Sequence, residues 1–103
     1  MSHNIKVAIW VPLEAKPGKE KEVAEFLKSA VPLVNDEPQT VTWYALQLGP
    51  STFGIFDTFL DDSGRTAHLN GKVAAALIEK APDLFAKPPA IQKIDILASK
   101  LPS

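Results

Sequence analysis

The 103-residue chain has the size of one domain, spanning 1–103, since a single core usually occupies about 100–150 residues. Its hydrophobic share of 46% and charged share of 22% exclude a disordered chain, which lacks the apolar surface to offset its ordering entropy. A net charge of −1 provides no field to attract nucleic acid or an anionic membrane, and the lack of cysteine removes disulfides, thiolate catalysis and cysteine metal sites. No apolar run approaches the roughly 20 residues of a membrane-spanning helix, and the N-terminus carries no secretory pattern; a cytoplasmic location is expected.

Ile5, Val7, Ile9, Val11 and Leu13 alternate with Lys6, Ala8, Trp10 and Pro12, the period of a strand ending near Pro12. A turn at Ala15–Gly18 follows. Val23, Phe26, Leu27, Ala30, Val31 and Val34 then share one face of a helix from Lys19 to about Val34, which Pro32 should kink or end. Asn35-Asp36-Glu37-Pro38 reads as a polar loop. Thr40 to Leu48 is rich in strand formers, and after Gly49-Pro50-Ser51 a third strand runs from Phe53 to Leu60, making a hairpin. Asp61 to Gly64 can cap a helix start. The helical stretch from Arg65 to Lys80 is interrupted at Asn70-Gly71, which predicts one short helix to about Leu69 and a second from about Lys72. Pro82 to Phe85 can add a turn, and Ile91 to Ser99 reads as the last strand. The order β-α-β-β-α-β is that of a ferredoxin-like α+β fold, with an antiparallel sheet and both main helices on one face.

Both faces of that sheet are apolar. Phe53, Ile55 and Phe59 oppose Phe56 and Leu60; Val41 and Trp43 oppose Tyr44, Leu46 and Leu48. Two helices bury only one face, so a homodimer packed sheet against sheet is expected.

Motifs for phosphate loops, HExxH zinc sites and GxSxG nucleophiles are absent. His3 and His68 lie far apart, with His3 expected in a frayed terminus, so no metal site is expected. Phe53-Gly54-Ile55-Phe56 invites comparison with RNA-recognition domains, but Ser51-Thr52 and Thr58 break that motif and the charge is wrong for RNA. His68 is the leading candidate for chemistry. On an unbroken helix it faces solvent with Lys72 and Glu79; only the break at Asn70-Gly71 frees it to enter a cavity, where desolvation would lower its pKa. Trp43 and Tyr44 face opposite ways, one toward the helices and one toward the dimer side. Asp57, a carboxylate in an apolar strand, is read as solvent-facing, structurally paired, or held in a cavity, with pairing preferred.

Ala-Lys-Pro-Gly-Lys (15–19), Phe-Gly-Ile-Phe-Asp-Thr-Phe (53–59) and Ala-His-Leu-Asn-Gly (67–71) resemble the antibiotic biosynthesis monooxygenase family, from about Ile5 to Leu101. The resemblance implies a dimeric α+β barrel with a cavity between sheet and helices in each protomer. It also implies a cofactor-independent monooxygenase acting on a small aromatic phenol or quinol. His68 matches the family's helix histidine in position. A haem-degrading branch pairs such a histidine with an asparagine and a tryptophan; here Asn4 is nearly terminal and Trp43 lies on the second strand, which disfavours haem. The implied mechanism needs no cofactor, because an electron-rich phenolate or carbanion reduces O₂ itself once deprotonated, oriented and desolvated. His68 would be the base, Trp43 or Tyr44 would stack on the substrate, and Asp57 completes the substrate-binding candidates. The alternative is a non-catalytic dimer that binds a small ligand or supports a neighbouring enzyme.

Overall fold

The computed structural model describes residues 4–102; His3 lies outside them. Strand β1 (Val7–Glu14) leads through the Pro17-Gly18 turn, where Gly18 takes a φ of 86°, into helix α1 (Glu20–Ser29). The expected single helix to Val34 is instead two: Pro32 falls in the first turn of a separate short helix, α2 (Val31–Asn35). Strands β2 (Thr40–Gln47) and β3 (Thr52–Phe59) form the expected hairpin, closed by the Leu48 amide donating to the Thr52 carbonyl at 2.8 Å. Helices α3 (Asp62–Leu69) and α4 (Lys72–Leu84) are separated at Asn70-Gly71, as the sequence predicts. The last strand, β4 (Gln92–Asp95), is much shorter than expected.

The strands form one antiparallel sheet in the order β2-β3-β1-β4, the ferredoxin-like topology. The implied α+β barrel is not found: the sheet is open, with β2 and β4 as its two edges. Four strands, one of them only four residues long, do not wrap far enough for the edges to pair, since each neighbour is rotated by only about 20–25°.

The core lies between the sheet and the helices. Ile9, Val11 and Leu13 from β1 and Phe53, Ile55 and Phe59 from β3 meet Val23 and Leu27 of α1 and Leu77 and Leu84 of α4. Phe26 is half-buried at the margin, and Val31 is exposed because the break before α2 takes it off the α1 face. The other sheet face carries Trp10, Tyr44, Leu46 and Phe56. Tyr44 and Phe56 stack there with ring centroids 6.5 Å apart. The Trp10 ring lies across Gly54, where a β-carbon would come within 2.3 Å of it, so only glycine admits this packing.

Candidate functional site

Two devices hold α3 in place. The Asp61 carboxylate accepts the Gly64 amide at 2.9 Å, capping the helix. The buried Arg65 guanidinium donates to the carbonyls of Ala8 and Ile94, both at 3.2 Å, tying α3 to β1 and β4, and its other nitrogens hold Asp62. One turn further on is His68. Because the helix ends at Leu69 rather than running on, His68 turns inward and is only 7% exposed.

The imidazole sits between two carboxylates. Its Nδ1 is 2.6 Å from Oε1 of Glu37, in the loop between α2 and β2. Its Nε2 is 3.0 Å from Oδ2 of Asp57, outside the alignment of a good hydrogen bond. Phe59 packs obliquely on the ring at 5.4 Å. Asp57 is wholly buried on the helix-facing side of β3, flanked by Ile9 on β1 and Trp43 on β2. The Thr40 hydroxyl donates to the same Glu37 oxygen at 2.8 Å. Glu37 Oε2, Trp43 Nε1 and both Asp57 oxygens are buried without a hydrogen-bond partner among the described residues. Three such atoms on the two carboxylates that flank one imidazole, with a fourth on the strand neighbour of Asp57, mark a site rather than ordinary core, because unpaired buried polar groups cost stability.

Burial pulls the His68 pKa down, but the Asp57 and Glu37 carboxylates outweigh it, so the net shift is upward. This reverses the expectation that a buried His68 is held neutral; that expectation counted desolvation without the two anions. Burial also raises the Asp57 carboxyl, the His68 contacts cancel part of the effect, and the Glu37 charge adds to it.

A cavity of about 320 Å³ opens beside this cluster, between the α2–β2 loop and α3 with the start of α4. Leu33, Pro38, Ala67 and Gly71 make it largely apolar, while Glu37, Gln39, His68 and Lys72 give it a few polar groups. A second cavity of about 230 Å³ lies between α2 and β2, lined by Trp43, and shares Glu37 and Thr40 with the first.

The structure therefore gathers three of the four candidate residues, His68, Asp57 and Trp43, around Glu37. Tyr44 is not among them: it lies on the opposite sheet face, half exposed. Among the described residues no group of three or more metal-ligating side chains converges on a common point. Sequence reading missed Glu37, which looks like any acidic loop residue and lies 31 positions from its partner. No local pattern reports such a pairing.

An open ferredoxin-like sheet with a buried carboxylate–imidazole–carboxylate cluster beside a small apolar cavity is the class of protein that this geometry defines. No protein-family model matches the chain, and no curated protein does. Among solved structures, the NE2512 protein of unknown function from Nitrosomonas europaea is 55% identical over 99% of both chains, with a TM-score of 0.95. The chain belongs to the same family as that protein. The fold is shared more widely. A protein from Nitrosomonas europaea provisionally described as an antibiotic biosynthesis monooxygenase is 17% identical over 89% of this chain and 99% of its own, with a TM-score of 0.79. A Bacteriodes thetaiotaomicron protein of the same provisional description is 19% identical over 97% and 96%, with a TM-score of 0.72.

Proposed function

We propose that the chain is a monooxygenase-type enzyme that binds a small phenol- or quinol-type aromatic in the cavity beside His68 and oxidises it with O₂, without a resident cofactor. The observation that carries this reading is the burial of His68 between two carboxylates at the wall of an apolar cavity of about 320 Å³, enough for one or two rings. The cluster supplies a proton acceptor in a dry setting, and the deprotonated substrate supplies the electrons. The fold shared with proteins provisionally described as monooxygenases supports the same reading. Trp43, through the second cavity, is the aromatic placed to meet a longer substrate.

Oxygen uptake with a panel of hydroquinones and anthrones, with and without added metal, tests this. Substrate-dependent uptake that falls about 10²–10⁴-fold in His68→Ala is the expected result. Binding of the aromatics with no uptake by any of them overturns it in favour of a non-catalytic ligand-binding protein. That second reading has its own observation, since both ring nitrogens of His68 are already engaged, as in a structural ion cluster.

We also propose that the chain pairs with a second copy through its open sheet face. Trp10, Tyr44, Leu46 and Phe56 form an aromatic and aliphatic surface there that none of the described helices covers, and the simplest cover for such a face is the same face of a second copy across a twofold axis.

A further inference from the structure

Resting on the reading of this cavity as the substrate site, we infer that the group that meets the ligand is not His68 but Glu37, through its free oxygen Oε2, with His68 and Asp57 as positioning residues behind it. Three observations carry this. First, both His68 nitrogens face carboxylates: Nδ1 is hydrogen-bonded to Glu37 at 2.6 Å and Nε2 stands 3.0 Å from Asp57 Oδ2. Second, the two Glu37 oxygens differ. Oε1 accepts from both His68 and the Thr40 hydroxyl, which locks the carboxylate plane, whereas Oε2 is buried with no donor among the described residues. Third, that oxygen lies at the cavity wall beside Gly71. A β-carbon at position 71 would stand 3.1 Å from Oε2, 3.2 Å from the His68 carbonyl and 3.5 Å from that of Ala67, so any side chain there would crowd the carboxylate. Gly71 has a φ of −93°, which any residue adopts, so its missing side chain matters here for room rather than for backbone conformation.

A buried acceptor with no donor among the described residues and a locked orientation, on a residue that lines the cavity, specify a ligand carrying a weakly acidic hydroxyl. Its O–H donates to Oε2. In the proton transfer the ligand O–H bond breaks, an O–H bond forms at Glu37, and the electron pair stays on the ligand oxygen. No electron changes hands in this step. Asp57 and the His68 imidazole then hold a charge arrangement in which the Glu37 carboxylate stays fixed and aimed while it gains and loses the proton.

Binding of 4-nitrophenol tests this without any turnover assay, so its outcome is independent of oxygen uptake. A Glu37 carboxylate recruits the protonated phenol, so affinity should fall as pH rises through the ionisation of the free phenol. Glu37→Gln should weaken binding about 10-fold or more, the scale of one charge-assisted hydrogen bond. Gly71→Ala, which leaves every charged group in place, should cause a comparable loss while the NMR titration of His68 is unchanged; it serves where Glu37→Gln fails to fold. Asp57→Asn should shift the His68 titration yet keep the direction of the pH dependence. If a cation were the contact, the His68 imidazolium or the Lys72 ammonium in the same lining would recruit the phenolate, and affinity would rise with pH. That result overturns the assignment, as does an absence of 4-nitrophenol binding to the wild-type protein or full affinity in both Glu37→Gln and Gly71→Ala.

Discussion

His68 owes its character to two acids that no neighbouring residue in the chain announces. Its pKa is raised above the ordinary value of 6.5, so the folded protein holds this proton more tightly than the unfolded chain does. The stabilisation is therefore complete below about pH 6.5 and is lost as pH rises through the folded-state pKa. Asp57 acts in the same sense: its carboxyl is raised above 3.8, so its contribution also falls as pH rises above that value. Denaturant midpoints measured from mildly acidic to alkaline pH are expected to decline, and His68→Gln is expected to flatten the part of the decline above pH 6.5. An NMR titration of His68 that places its pKa at or below 6.5 would contradict the ion cluster seen here. Asp57→Asn is expected to bring that pKa down, since it removes one of the two anions while keeping the shape.

The elements around the site succeed or fail by how they are tied together. Arg65 joins α3 to two strand carbonyls, and Arg65→Ala removes that charged tie in a nearly closed place. A loss of about 3 kcal/mol is expected, on the scale of a charged hydrogen-bond donor. It is readable as a lower denaturant midpoint. The first helix is held by its apolar stripe. Leu27 is 3% exposed and packed in the core, so Leu27→Ala should cost about 2–5 kcal/mol. Phe26, half-buried at the margin, should cost less than Leu27 despite its size. Equal losses at the two positions would show that the helix is rotated relative to the structure.

Across the whole molecule, the sheet has a covered face and an uncovered one. Sedimentation at micromolar concentration is expected to show a species twice the chain mass; a monomer that persists at higher concentration would remove the proposed pairing. Gly54→Val provides a second reading of the same surface. A side chain at that position meets the Trp10 ring at far below contact distance, so the ring must lift off the sheet. The expected result is weaker association with the helix-side core retained, measured by the concentration dependence of sedimentation.

The order of elements was legible from residue periodicity because each signal is local: alternation in β1, the apolar stripe of α1, the turn at Gly49-Pro50-Ser51, and the break at Asn70-Gly71. Pro32 marked a discontinuity, but whether it kinks one helix or begins another depends on packing against neighbouring elements, and the structure shows the second. The last strand was read too long because weak alternation cannot say how far a partner strand extends; β1 supplies partners only from Gln92 to Asp95. The resemblance to a barrel-forming family likewise did not settle closure, which is a property of how strand edges meet and not of any one strand. The site divides in the same way. His68 was singled out by its type and by the adjacent helix break, both visible in the chain. That it stands between Glu37 and Asp57 follows from the α2–β2 loop, β3 and α3 meeting in space, across separations of 31 and 11 residues. Charge pairing at such distances leaves no periodic trace, so the chemistry of the imidazole, its raised pKa and the free oxygen beside it were decided by tertiary structure alone.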